Sequence, residues 1–230
     1  MLIHDHFSVA HLIGHPAFGH LAESIKIYRY AKQNDFFDTN LHNCTECFIV
    51  GGKLDMLRTK ELRSCVQAVI LFQAMMEKIP YFVPNIGTNI KPPSSKQFAK
   101  SWRQLLFQIK DATTRNAAEV AFDIYKTSFY DSCRNPVIHG KTAVDIEKVN
   151  AIRTPIIHEG MRQGWKAYDY LLAEAFFPQQ VHESSWGQMC EIHNIPDTLA
   201  ISDYPDLLDM EAQFNKKHLD GFQAANESVP

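Results

Sequence analysis

The chain has no long apolar run. Its most apolar window, Cys65 to Met76, is interrupted by Gln67 and Gln73, and it is much shorter than the roughly 20 residues that cross a bilayer. The first residues, MLIHDHFSVAH, place an acid and several histidines where a secretory signal needs a basic start and an unbroken apolar stretch. We therefore predict neither a membrane span nor secretion.

Cysteine and net charge are both low. The five cysteines are an odd number, scattered at 44, 47, 65, 133 and 190, which is typical of reduced thiols in the cytoplasm rather than of a disulfide framework. The formal net charge is −3, so any contact with nucleic acid must come from a local basic patch. Phosphate-binding glycine loops and serine nucleophile elbows are also missing from the sequence. We predict a cytoplasmic protein.

The composition is that of a folded protein with one main core. Hydrophobic residues make up 45% and charged residues 21% of the 230 positions, close to the globular average. A chain of this length can close one sizeable core but is short for two full domains. We predict a helical domain over 1–178, followed by an irregular C-terminal extension over 179–230 with a short helix at 205–215.

Apolar residues recur at helical spacing along most of the chain. The patterns predict helices at 16–33, beginning at Pro16, at 56–79, ending before Pro80, at 98–109, at 117–131 and, as one kinked helix or two, at 143–178. The short apolar run before Gly51 and Gly52 indicates a small strand or hairpin near 45–52. The predicted fold class is therefore all-α, a bundle of four to six helices.

One segment, RNPVIHG from Arg134 to Gly140, indicates chemistry rather than packing. Asn135 before Pro136 predicts a helix start, because an Asn side chain can cap free amides and proline tolerates the first turn. The segment also places a permanent cation and the titratable imidazole of His139 about a turn apart, beside amide donors. Cleavage of a phosphodiester uses such groups, although a simple capped turn also accounts for the same residues.

This segment resembles the signature of the HEPN superfamily, a group of helical bundles. In that signature an Arg, usually followed by a polar residue, precedes a His by four to six positions. The resemblance covers seven residues for the motif and, more loosely, the predicted helices from about 56 to 178. A second segment, RTPIIHEG from Arg153, has the same Arg-to-His spacing to His158. It lacks the Asn after the Arg and the Gly directly after the His, so we rank it second.

The resemblance implies metal-independent cleavage of RNA, in which the ribose 2′-hydroxyl attacks its own phosphate and leaves a cyclic phosphate. His139 would move the protons, Arg134 would stabilise charge on the phosphate oxygens, and Asn135 would position and cap. No cofactor or metal is implied. The resemblance further implies a homodimer, and a toxin or antiviral defence role with an antitoxin or regulatory protein as a further partner.

A local basic patch could bind such an RNA. Between Lys78 and Lys110 there is no acid, and six positive charges are present. Four of them are predicted to lie on one side of the third helix, where they could follow a phosphate backbone: Lys96, Lys100, Arg103 and Lys110. An ordinary solvated helix face is the alternative.

Two other functions remain open from the sequence. The chain could be a catalytically inactive helical module of the same shape that binds a partner protein or a nucleotide. It could also be a metalloenzyme with histidine ligands, because histidines cluster at 4, 6, 11, 15 and 20, and His42 precedes Cys44 and Cys47. The single C-x-x-C and the irregular histidine spacing make a metal site the weaker alternative.

Overall fold

The computed structural model describes residues 3–33, 44–85, 90–139, 152–176 and 185–199, together with 148, 207, 212, 214–216 and 220. Over these residues every regular element is a helix, so the prediction of an all-α bundle is confirmed. The α-helices are α1 (Ile3–Gln33), α2 (Cys44–Phe82), α3 (Phe98–Leu106), α4 (Ala112–Tyr125), α5 (Asn135–His139), α6 (Thr154–Phe176) and α7 (Ser185–His193). A 3-10 turn (Val83–Asn85) follows α2, and a π-helical segment (Lys126–Arg134) joins α4 to α5.

The longest helices, α1 and α2, pack along each other. The predicted apolar stripe of α1 is buried, from Phe18 to Tyr28. The prediction that this helix begins at Pro16 is wrong, because α1 begins at Ile3 and continues through the proline. Proline inside a helix costs about 3 kcal/mol. The burial of Ala17, Phe18 and Leu21 directly after it offsets that cost.

The predicted strand or hairpin near 45–52 is wrong, because these residues form the first turns of α2. The glycines do not end the helix, and Gly51 has a tertiary neighbour: a Cβ built there would lie 3.2 Å from Phe214 Cε1. Phe214 belongs to a small second core with Leu54 and Leu57. Packing against a distant residue therefore decides the conformation of this segment. At its other end α2 continues through Pro80 to Phe82, beyond the predicted stop.

The main core lies between α1, α2, α3, α4 and α6. Trp102 on α3 is buried and donates its indole N–H to the Met76 carbonyl of α2 at 2.8 Å. Helix α6 begins at Thr154, inside the range 143–178 that was predicted as one kinked helix or two, and buries Ile157, Met161 and Trp165. Residues 140–147 and 149–151 lie outside the described part of the chain, so the prediction for 143–178 is untested there. Residues 152 and 153, directly before α6, are not helical.

Helix α7 was not predicted. It buries Trp186, Met189 and Cys190 in the main core and begins where Asp169 of α6 accepts the Ser185 amide at 3.0 Å. Of the short helix predicted at 205–215, residues 207, 212, 214 and 215 are described, and all four are helical. None of the described helices is both long enough and apolar enough to span a membrane.

Candidate functional site

The site lies on one continuous helical rod formed by α4, the π-helical segment and α5. Its start is capped by Asp111, whose carboxylate accepts the Thr114 amide at 2.7 Å. The prediction that Asn135 caps a helix start is wrong. Its φ of −63° and ψ of −44° are helical, and its backbone N–H donates to the Tyr130 carbonyl. The preceding turns already supply acceptors for the amides here, so no cap is required.

Arg134 brings the three predicted catalytic residues together. Its Nη1 donates to Asn135 Oδ1 at 3.1 Å and contacts His139 Nε2 at 3.0 Å. A guanidinium can only donate, so Nε2 accepts in this contact, which requires the His139 tautomer with its proton on Nδ1. His139 is exposed to solvent. Gly140, the last residue of the predicted motif, lies outside the described residues.

A fourth residue of the site, Glu77 on α2, was missed by sequence reasoning. Arg134 Nη2 donates to Glu77 Oε1 at 3.3 Å, and Gln73 Nε2 donates to the same oxygen at 3.0 Å. The Tyr125 hydroxyl in turn donates to Gln73 Oε1. Burial, with the nearby charge of Glu77, raises the pKa of Tyr125 well above its usual value, so this hydroxyl remains a donor.

An aromatic ring also holds the guanidinium. Arg134 Cζ lies 5.1 Å from the centroid of the Tyr130 ring, within the range of a cation–π contact. Phe98 of α3 stacks on the same ring, with centroids 4.7 Å apart. The side chain of Arg134 is only 17% exposed, whereas that of Glu77 is 40% exposed. The cation is therefore fixed at the edge of the solvent.

A groove of about 340 Å³ lies beside this cluster. Its lining includes Glu77 and Tyr130 of the cluster, together with Lys78, Tyr81 and Lys96. Of the four predicted RNA-binding residues, Lys96 is thus the one that shares a groove with the Arg134 contacts. Two cations and an exposed aromatic ring provide the groups that bind a nucleic acid strand.

The other predicted basic residues lie elsewhere. Lys100 and Arg103 line a second groove, of about 560 Å³, between α3 and α4, where Arg103 pairs with Asp123 at 3.1 Å. The prediction that all four residues share one helix face is wrong. Helix α3 spans Phe98–Leu106, so Lys96 precedes it and Lys110 follows it.

No protein-family model, curated protein or solved structure matches this chain. The resemblance of the Arg134 segment to the HEPN signature therefore stays a prediction. Any function has to be inferred from the residues of the site.

In the second copy of the motif, which begins at Arg153, the surroundings of His158 indicate a structural role. His158 is 1% exposed and donates Nε2–H to the Pro196 carbonyl at 2.8 Å, with the edge of its ring against Trp186. Burial lowers the pKa of His158, so the neutral form is favoured. This histidine connects α6 to the segment after α7, and its position gives a substrate no access.

Metal and thiol chemistry have little support in the described part of the chain. No group of three or more potential ligand side chains is placed there to hold a metal ion. His15 and His193 contact each other at 2.8 Å, whereas the side chains of His4, His6, His11, His42, Cys44 and Cys47 are outside the described set. Cys65, Cys133 and Cys190 are free and buried, and burial raises the pKa of Cys133 to about 12. Its thiol is therefore a poor nucleophile at neutral pH.

Proposed function

We propose that this protein is a cytoplasmic, metal-independent endoribonuclease of the HEPN type, with Arg134, Asn135 and His139 at its active site. The observation that carries the proposal is the contact between Arg134 Nη1 and His139 Nε2 at 3.0 Å. It places a permanent cation and an imidazole, with its Nε2 lone pair directed at that cation, side by side at the surface. A phosphodiester bound to the guanidinium would lie within reach of the base.

The reaction is the one that the resemblance implies, and these groups can supply its steps. His139 Nε2 takes the proton of the ribose 2′-hydroxyl, and the 2′-oxygen attacks the adjacent phosphorus. The bond from phosphorus to the 5′-oxygen breaks, and that oxygen takes a proton from an imidazolium, supplied by His139 of a second copy. The products are a 2′,3′-cyclic phosphate and a free 5′-hydroxyl. Arg134 stabilises the negative charge that develops on the phosphate oxygens.

Glu77 and Asn135 set the position of Arg134. The carboxylate holds Nη2, and the Asn135 side chain holds Nη1 together with His139. An incoming phosphate competes with the neutral acceptors on Nη1 more easily than with the charged carboxylate on Nη2. Arg134 can therefore bind substrate without leaving its place beside α2.

The surroundings of the site agree with a strand of RNA and with a second copy of the chain. Lys78 and Lys96 line the adjacent groove, where they can pair with phosphates. The rod that carries the site also exposes three large apolar side chains, Val120, Ile124 and Ile138, at 51%, 39% and 46%. Covering them in a homodimer would remove apolar surface from water. A toxin or antiviral effector, restrained by an antitoxin or regulatory protein, is the role that fits this activity.

One observation favours a second candidate, a catalytically inactive helical module that binds a partner protein or a nucleotide. The charge of Arg134 is paired with Glu77, and its contacts within the chain could simply join α2 to the rod. In that case the same geometry would stabilise the bundle and perform no reaction.

Incubation of the purified protein with mixed RNA, with and without EDTA, separates the candidates. The endoribonuclease predicts fragments with cyclic phosphate ends in both conditions. Cleavage that EDTA abolishes would favour the histidine-liganded metalloenzyme. Intact RNA in both conditions would favour the binding module.

A further inference from the structure

The π-helical segment between α4 and α5 is stabilised by side-chain contacts at a spacing of five residues. In an α-helix, residues five apart point roughly 140° away from each other, whereas in the wider π turn they are only about 40° apart and share one face. The contacts are Lys126 Nζ to Asp131 Oδ2 at 2.6 Å, Ser132 Oγ to the Thr127 carbonyl at 2.7 Å and Cys133 Sγ to the Ser128 carbonyl at 3.3 Å. The side chains of this segment thus match the π geometry.

This geometry determines where Arg134 points. Arg134 follows Tyr125 by nine residues, which is about two full turns at the roughly 80° per residue of a π-helix. At the roughly 100° per residue of an α-helix, nine residues make two and a half turns, and the two side chains would lie on opposite faces. Here both face α2, where Tyr125 donates to Gln73 and Arg134 donates to Glu77.

A glycine on α6 makes room for this segment. A Cβ built at Gly160 would lie 2.5 Å from Phe129 Cδ2 and 2.7 Å from Phe129 Cβ, far inside contact distance. Phe129 lies in the middle of the π segment, is fully buried, and stacks on Tyr125 with centroids 5.3 Å apart. Because its Cβ cannot swing away as the end of a flexible side chain can, any side chain at 160 must change the seat of Phe129 by shifting the π segment against α6.

We propose that Phe129, seated on Gly160, is a positioning residue that keeps the π geometry and thereby directs Arg134 toward Glu77 and His139. Phe129 does not contact the predicted reacting groups and acts through the rotation of the helix that carries them. The consequence for catalysis rests on the proposed function, but the consequence for geometry does not.

The protonation site of His139 reports this geometry without any substrate. In the wild type, Nε2 accepts from Arg134, so nitrogen NMR at pH 8 should show His139 with its proton on Nδ1. The His139 signal is assigned by its loss in His139→Gln. We expect Gly160→Ala to abolish the preference for the Nδ1 proton and to lower RNA cleavage at least 10-fold. Gly19→Ala, at a position with nothing within 4 Å, should leave both unchanged.

A second variant decides the question if Gly160→Ala does not fold. Ser132→Ala removes an exposed hydroxyl that donates to the Thr127 carbonyl of the π segment, and alanine favours α geometry. It should also lose the Nδ1 preference. A folded variant of either kind that retains the wild-type His139 signal would overturn the inference. If the wild type shows the Nδ1 signal but cuts no RNA, the proposed function fails and the positioning role of Phe129 is still decided by the NMR comparison.

Discussion

At the scale of single residues, Arg134 depends on its planar, forked guanidinium. Nη1 contacts Asn135 and His139, while Nη2 contacts Glu77. A lysine carries the same charge on one compact ammonium group and cannot span the acceptors of both Nη1 and Nη2. We expect Arg134→Lys to lower kcat/KM for RNA cleavage roughly 100-fold, by loss of stabilisation of the developing charge.

The stability of the Arg134→Lys variant should change little, because a partly exposed ion pair contributes about 1 kcal/mol or less. Single-turnover cleavage and thermal melting of the same preparation measure the two effects. A cleavage rate near that of the wild type would show that a point charge at 134 is sufficient.

For His158 we expect the opposite result, a loss of stability without a loss of cleavage activity. His158→Ala removes the imidazole donor from the partly buried Pro196 carbonyl, which keeps the weak Cys190 thiol donor at 3.9 Å, and we expect a cost of about 1 kcal/mol. Cleavage per folded molecule should be unchanged, since the ring is buried and removed from substrate. Denaturant unfolding measures the first effect and a cleavage assay the second, with His20→Ala as the control. Loss of cleavage in a fully folded His158→Ala variant would show that the active site is the second motif, from Arg153 to His158.

The residues of the site differ in how far the sequence could reveal them. Arg134 and His139 are five positions apart, so their proximity followed from spacing alone. Glu77 is 57 positions before Arg134, and its contact depends on how α2 packs against the rod. The sequence has one indication that Glu77 belongs to a site: Gln73 and Glu77 are polar residues one turn apart in an otherwise apolar stretch of α2.

At the scale of elements, helical periodicity predicted most helices, and tertiary packing decided the rest. Periodicity carries no information about a proline or glycine that distant packing supports, as at Pro16 and Gly51. The π-helical segment was not predicted either, since it depends on contacts such as that of Phe129 with α6. The π-helical segment alters where the side chains of the site point, and none of these departures changes the fold class.

Helix α7 should loosen in mild acid. Burial, together with the facing His15, lowers the pKa of His193 from its usual 6.5. Burial also lowers the pKa of His158, which binds the segment after α7 and is further influenced by Glu159, Arg162 and Asp197.

A histidine with a lowered folded-state pKa takes up its proton more readily in the unfolded chain. Its neutral form therefore supports the fold above about pH 6.5, and stability is lost as the pH falls from there toward the folded-state pKa. The protection factors of the α7 amides, which correct for the intrinsic pH dependence of exchange, should fall in the wild type as the pH is lowered from 7.5 to 5. His193→Gln should flatten this dependence, and His20→Gln should not. Equal pH profiles in all three proteins would contradict this role of His193.

The groove beside Arg134 makes a prediction for RNA binding. Lys96 lines that groove, whereas Lys110 lies beyond the end of α3, and both are exposed. We expect Lys96→Glu to weaken RNA binding and to flatten its salt dependence, because a lost phosphate contact releases fewer counterions. Titrations at several salt concentrations measure the slope. Lys110→Glu is the matched control. Equal salt slopes of RNA binding for the two variants would show that RNA does not bind in the groove.

At the scale of the whole molecule, the proposed mechanism requires two copies of the chain. Val120 and Ile124 are exposed on α4 and precede the site on the same rod. We expect a charge there, as in Ile124→Asp, to produce a monomer that has lost most of its cleavage activity. Sedimentation of wild type and variant measures the change, with Ile192→Asp on α7 as an exposed control. A wild-type monomer that cleaves RNA would refute the paired site.

RNA cleavage by His139→Ala, compared with His20→Ala at matched melting temperature, tests the central claim most directly. If His139 transfers the protons, its removal lowers the rate roughly 100-fold or more while the helical fold and the dimer persist. Cleavage by the two variants at the same rate would contradict the assignment of Arg134 and His139 as the active site.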